Sequence, residues 1–326
     1  MKQALRILFL IALSTAVTAV AHAGSAGRAG AYLKMGVGAR ALGMGSAFVA
    51  VADDSSAAFW NPAGLAKLQQ AEATFMHADL TMDRDYNFLN YAHPLVNSDG
   101  ESRGVVALSH MRFGVDGIPE TRMATARTDG TPLTGDEPAT RSDGSYTPGE
   151  NVYIFSYFSD TEKNTFGTYA RKLGNRIYGG VNVKYLQHDL FTNSADGWGM
   201  DLGFLYEASE KATVGLSVRD LGSSLKWDTE SGREENLPTT TTFGIAYQAR
   251  SNLLLAADIN KVQDMNPKLF AGAEYWMQDY AALRVGANDG DLTLGASFKL
   301  DTWRFDYSYA DEILGDAHRV SATKRF

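Results

Sequence analysis

The chain contains no cysteine, which excludes disulfides, metal-thiolate sites and cysteine nucleophiles. Beyond the first 23 residues no stretch stays apolar long enough for a membrane-spanning helix, which needs about 20 residues. The mean hydropathy is −0.22, and that small value leaves a β-barrel open, because half of each barrel strand faces a polar interior and the average cancels. Clustered positive charge is lacking too: 38 Asp+Glu stand against 30 Lys+Arg, a formal net charge of −8, which argues against a nucleic-acid partner. The histidines (His22, His77, His93, His110, His188, His318) show no metal-ligand spacing. Gly36-x-Gly38 and Gly43-x-Gly45 lack the strand, helix and lysine of a phosphate loop and read as close backbone packing. No cofactor and no metal are expected.

What is present begins with a leader. Lys2 and Arg6 precede an apolar run from Ile7 to Val20, and Ala21-His22-Ala23 stands before Gly24. This is the pattern of a secretory signal, 1–23, removed on export. Its loss takes two basic residues and no acidic one, so the mature chain is more acidic still.

From residue 72 onward the chain alternates with period 2. Leu292, Leu294, Ala296, Phe298 and Leu300 interleave with Asp291, Thr293, Gly295, Ser297 and Lys299, and Trp303, Phe305, Tyr307 and Tyr309 interleave with Arg304, Asp306 and Ser308. Such alternation suits a strand between lipid and a polar lumen. Near the C-terminus Lys324 is the exception on the apolar face. The pattern predicts strands at 72–80, 85–95, 103–113, 164–172, 176–188, 197–207, 211–221, 238–248, 251–260, 267–277, 280–287, 290–300, 302–310 and 317–326, a 14-stranded antiparallel transmembrane β-barrel over 72–326.

The connections at 173–175, 209–210, 250, 278–279 and around 301 are short. Those at 189–196, 222–237, 261–266 and 311–316 are longer, and 114–149, rich in Thr, Asp, Gly and Pro, reads as a long extracellular loop. Because outer-membrane barrels keep periplasmic turns short, this alternation places the C-terminus on the periplasmic side. Tyr206, Tyr247, Tyr275, Phe298, Trp303 and Phe326 fall near that end as an interfacial girdle. Segment 151–159 would make the strand count odd if it spanned alone, so it is read as an extension of strand 164–172 or a hairpin above the membrane.

Residues 24–71 lack strand periodicity and read as a compact plug, or hatch, inside the lumen. Asp54 is placed to cap a short helix from Ser55, and Asn61-Pro62 is a helix-start pair. The order Gly38-Ala39-Arg40, Gly43-Met44-Gly45-Ser46-Ala47, Ala52-Asp53-Asp54 and Asn61-Pro62-Ala63-Gly64 resembles the N-terminal region of the PorV/PorQ family, within the wider FadL-like outer-membrane transport superfamily. Tyr169-Ala170-Arg171, Asp201-Leu202-Gly203-Phe204 and Glu274-Tyr275-Trp276 look similar as well. The resemblance implies a hatch that closes the barrel, with Gly43, Gly45, Asp53, Asp54, Asn61, Pro62, Ala63 and Gly64 as its structural or gating residues. The terminal Phe326 resembles the assembly signal of bacterial outer-membrane barrels.

Function divides two ways. The resemblance implies a component of type IX secretion at the outer membrane of a Gram-negative cell, handling cargo C-terminal domains or secretion-machinery proteins and embedded in outer-membrane lipid and lipopolysaccharide. The alternative is FadL-like uptake of a hydrophobic ligand, with the hatch as gate. An enzyme is not expected. His188-Asp189 with Ser194 is the one hint of hydrolytic chemistry, and solvated loop residues explain it. The inward charges Lys184, Asp201, Lys211, Arg219, Asp258, Arg284, Lys299, Arg304 and Asp306 are expected to pair across neighbouring strands. Met44 to Val51 and Ala57 to Trp60 could line a greasy pocket or form the core of the hatch.

Overall fold

The computed structural model describes residues 29–123, 152–312 and 315–326; the expected leader lies outside them. The strands are β1 Glu72–Leu80, β2 Arg84–Val96, β3 Ser102–Met123, β4 Val152–Lys172, β5 Ile177–Leu190, β6 Asn193–Ser209, β7 Ala212–Leu221, β8 Ser224–Trp227, β9 Glu234–Asn236, β10 Thr240–Arg250, β11 Leu253–Val262, β12 Lys268–Met277, β13 Ala281–Asn288, β14 Asp291–Leu300, β15 Trp303–Glu312 and β16 Gly315–Arg325. Each barrel strand pairs antiparallel with its sequence neighbour, β7 pairs with β10, and β16 returns to β1 through Glu72↔Arg325 to Asp79↔His318. The result is a closed 14-stranded barrel. Closure satisfies every barrel strand on both edges, as hydrocarbon demands. The short hairpin β8–β9 stands outside the count and lies on β6.

The alternating faces fall as the sequence requires. Leu292, Leu294, Phe298 and Leu300 point outward and are exposed, as are Trp303, Phe305, Tyr307 and Val320. Thr293, Ser297, Arg304, Asp306, Ser308, Ser321 and Thr323 point inward and are buried. Lys324, the outward exception, lies over the Trp303 and Phe326 rings at 5.3 and 5.0 Å, so its ammonium sits among aromatics at the barrel end. On β12 the sequence puts Phe270 and Trp276 on the face of Glu274, and that face turns inward: Glu274 is buried and Phe270 packs on the core.

Two expectations need correction. The span 114–123 is not loop: β3 continues to Met123 and pairs with an equally long β4. Residues 152–159 are that extension of β4, and 124–151 lie outside the described residues. Short and long turns do not alternate strictly either. β5 and β6 are joined through residues 191–192 and β13 and β14 through 289–290, with left-handed Phe191 and Asp289 making the tight corners. Of the span 189–196 that looked like loop, 189–190 and 193–196 continue the strands and only 191–192 turn. The ends of β3 and β4 at 123 and 152 and the connection 222–239, which carries β8 and β9, nevertheless lie at the same end, here called the far rim, opposite the C-terminal rim.

At the far rim β3 and β4 outgrow their neighbours. β2 reaches only Val115 of β3, and β5 reaches only Asp160 of β4. Among the described residues, 118–123 and 152–158 have each other as strand partners, making a two-stranded ribbon that rises roughly 20 Å above the wall at about 3.3 Å per residue.

Candidate functional site

The lumen is occupied by the chain ahead of β1. It forms a 3-10 turn, Ala31–Lys34, helices Ala39–Gly43 and Ala57–Trp60, and a 3-10 stretch, Pro62–Lys67. These pieces are too short to be stable alone and take their order from the wall. At the far rim Tyr32 stacks on Phe113, centroids 6.3 Å apart, and at the C-terminal rim Lys67 meets Glu207 at 3.5 Å. The segment thus crosses the barrel interior from end to end.

A belt of inward-facing glycines receives it. A Cβ on Gly286 would lie 2.1 Å from Gly45 N, on Gly272 2.3 Å from Met44 O, on Gly215 2.5 Å from Val49 O, on Gly180 2.4 Å from the Pro62 carbonyl carbon and on Gly203 2.2 Å from Asn61 Oδ1. The belt is built from cross-strand pairs: Gly180↔Gly203, Gly215↔Gly244 and Gly272↔Gly286. The segment answers in kind. A Cβ on Gly43 would lie 2.9 Å from Gly295 Cα, and Gly64 packs so closely on Ala52 that a Cβ would lie 2.0 Å from its carbonyl oxygen. Gly45 combines close approach to Ala287 and Ala271 with a φ of 65° that other residues adopt rarely.

Polar anchors fix the register. Asn61 is fully buried; its Nδ2 donates to Val49 O at 2.9 Å and to Phe204 O at 3.1 Å, and its Oδ1 accepts from Ala63 N at 3.2 Å, capping the Pro62–Lys67 stretch. The Asn61-Pro62 start is therefore as expected, with Pro62 and Ala63 seated on Gly180. Asp258 Oδ2 accepts from Phe48 N and Val49 N at 2.8 and 3.0 Å. Asn182 Nδ2 donates to Ala58 O at 2.8 Å. Ala39 N donates to Ser321 Oγ at 2.8 Å.

The densest anchor is ionic. Arg40 donates Nε and Nη2 to Glu274 at 2.8 Å each, and Nη1 to Asp53 at 2.5 Å and Asp54 at 3.1 Å. Arg304 Nη2 reaches Asp54 at 2.8 Å and its Nε reaches Asp306 at 2.8 Å, while Arg284 Nε meets Glu274 at 2.6 Å. Burial alone would raise the Asp54 carboxyl, but the Arg304 and Arg40 guanidiniums override it and hold the group well below the usual carboxylate range. Asp54 is thus more than a helix cap. Its Oδ1 accepts from Ser56 N and Oγ in the turn ahead of Ala57–Trp60, whose N-cap Ser56 makes no side-chain cap bond, and its Oδ2 bridges segment and wall.

Among the other inward charges, Lys184 bonds Asp201 at 2.8 Å and also Asp220, the cross-strand network that was expected. Arg219 instead lies over the Phe59 ring at 4.6 Å, and Lys211 is exposed at the β6–β7 turn rather than in the lumen. His188 bonds Asp160 at 2.7 Å whereas Asp189 bonds Lys163. Ser194 pairs with Asp189 across the hairpin, on the face opposite His188, so no triad is assembled.

The apolar runs pack as core. Val37, Met44, Phe48, Phe59, Trp60 and Leu65 join Met76, Tyr86, Phe88, Met111, Phe166 and Leu186 of the inner wall in one buried cluster. The lumen is therefore uneven: the large apolar side chains of the inner wall come from β1–β5, where they sit among polar groups such as Asn90, Ser109, Asn164 and Lys184, and the arginine cluster comes from β13 and β15. A cavity of about 410 Å³ lies at the far rim beside Leu237 and Asp264, and one of about 250 Å³ at the C-terminal rim beside Arg40 and Trp276. The glycine pairs were missed from sequence, since a glycine on a polar face raises no signal until register sets two opposite each other.

A family described as "Family of unknown function (DUF5723)" matches residues 139–277. No curated protein matches the chain. Solved structures do. The Ralstonia pickettii toluene transporter TbuX is 14% identical with a TM-score of 0.55, covering 89% of this chain and 98% of its own. The CymD monoaromatic hydrocarbon channel is 15% identical, TM-score 0.57, covering 90% and 98%. A Pseudomonas aeruginosa FadL homologue is 12% identical, TM-score 0.55, covering 88% and 97%. At these identities the likeness is one of fold, a closed antiparallel β-barrel.

Proposed function

We propose that the protein is an outer-membrane channel of a Gram-negative bacterium that takes up hydrophobic small molecules, with the inner segment as its hatch. The observation that carries this is an apolar patch on the inner wall of β1–β5, where Met76, Phe88, Met111, Phe166 and Leu186 take positions that a water-filled pore would give to polar groups. A hydrophobic solute gains by entering such a lining, and a polar one does not. The structural neighbours named as a toluene transporter and a monoaromatic hydrocarbon channel support the same reading. In it, Gly43, Gly45, Asn61, Pro62, Ala63 and Gly64 seat the hatch, Asp53 and Asp54 hold its charge lock, and Phe326 serves barrel assembly. It is a passage rather than an enzyme. The secretion role implied by the PorV/PorQ resemblance draws no support from these neighbours.

The test is uptake of radiolabelled toluene and oleate by a deletion strain. Entry of at least one should slow several-fold and recover on complementation. Rates equal to the parent for both compounds would sink the proposal.

A further inference from the structure

The cavity at the C-terminal rim belongs to neither the apolar wall nor the glycine belt, and its lining is cationic. Arg40, Lys299, Arg304 and Arg325 surround it, with Trp276 as one wall. The buried carboxylates nearby are already engaged: Glu274 with Arg40 and Arg284, Asp54 with Arg40 and Arg304, and Glu72 with Arg325 Nε at 2.8 Å. Donors are left over. Arg304 Nη1, both terminal nitrogens of Arg325 and Lys299 Nζ take no acceptor from the described residues, and Lys299 has no carboxylate within 4.0 Å among them. The Lys299 ammonium is instead held over the Trp276 ring, 3.8 Å from its centroid, which keeps it at the cavity edge. One carboxylate reaches into this ring of cations from a partly open position: Asp53, whose side chain is 45% exposed and meets Arg40 at 2.5 Å.

From this arrangement we propose that the cavity is a binding site for an oxyanion, a carboxylate or a phosphate, whose place Asp53 now fills in part. Guanidinium edges and an ammonium with free hydrogens are the donors such a group selects, because each charge-assisted bond is stronger than a neutral one and Arg presents two parallel N–H groups. About 250 Å³ admits an anion carrying one small ring, and the Trp276 face offers that ring a stacking surface. The site goes beyond the uptake reading and does not depend on it, because it is defined by binding and not by passage.

The test is calorimetric titration of the mature protein in a neutral detergent with inorganic phosphate, acetate and benzoate at constant ionic strength. At least one should saturate. Lys299→Gln should weaken that anion at least five-fold, and Asp53→Asn, which removes the competing carboxylate, should tighten it several-fold. Benzoate binding well above acetate marks a ring-bearing carboxylate as the ligand class, and phosphate binding above both marks a free phosphate or its ester. Heat-dependent gel migration identifies variants that keep the barrel. Failure of all three anions to saturate, or a folded Lys299→Gln protein binding as the parent does, overturns the proposal.

Discussion

At the scale of single residues, steric room and buried charge dominate. A Gly286→Val change puts side-chain atoms where the Gly45 backbone lies, 2.1 Å from the Cβ position. The barrel should still form, with the inner segment displaced at a cost of about 1–3 kcal/mol. Limited proteolysis checks this, as a new cut within 31–67 in folded barrels. Asp54→Ala strands Arg40 and Arg304 with one partner fewer, and loss of a buried ion pair costs about 3–5 kcal/mol. Acid should act through the same group. A carboxylate whose folded pKa is depressed contributes stability that is full above its unfolded value, about 3.9, and that is lost as pH falls through the folded value. Protection of the Ser56 amide, which donates to Asp54 Oδ1, should therefore stay level from pH 8 to 5 and decline only below about pH 4. A decline already complete at pH 6 would contradict the assignment.

Elements differ in how openly the sequence announces them. The strands were legible because lipid enforces period 2: an outward Leu294 or Phe305 cannot trade places with Ser297 or Asp306 without burying charge in hydrocarbon. At the far rim that pressure lapses, so 114–123, 152–159, 189–190 and 193–196 are strands without the pattern. The inner segment was legible by contrast, as the stretch with small residues and no alternation. Its partners were not, since Asp258 meeting Phe48 N and Val49 N depends on register across the whole barrel. Because, among the described residues, the strand pairing of 118–123 and 152–158 is with each other, replacing 116–158 by a short turn should leave the barrel intact. Retention of the heat-dependent gel shift in that variant checks it, and its loss would show that the ribbon is required for closure.

For the whole molecule, the wall and its contents are one object. The largest buried side chains include Tyr86, Phe88, Phe166 and Met111 from the wall together with Phe48, Met44 and Leu65 from within, so among the described residues the two parts share one core. An unboiled sample should migrate faster on a denaturing gel than a boiled one, and removal of 31–67 should lower the temperature of that transition. The geometry also bears on the order of events during biogenesis. Ala39 bonds Ser321, 282 positions away in the chain, and Thr293 bonds Gly43 across 250. These bonds of residues 39–43 therefore wait for the last strands to be made. Distant partners of this kind slow folding, and a chaperone that shields the leading residues until the seam between β1 and β16 closes would have the longest stretch of unassembled chain to guard.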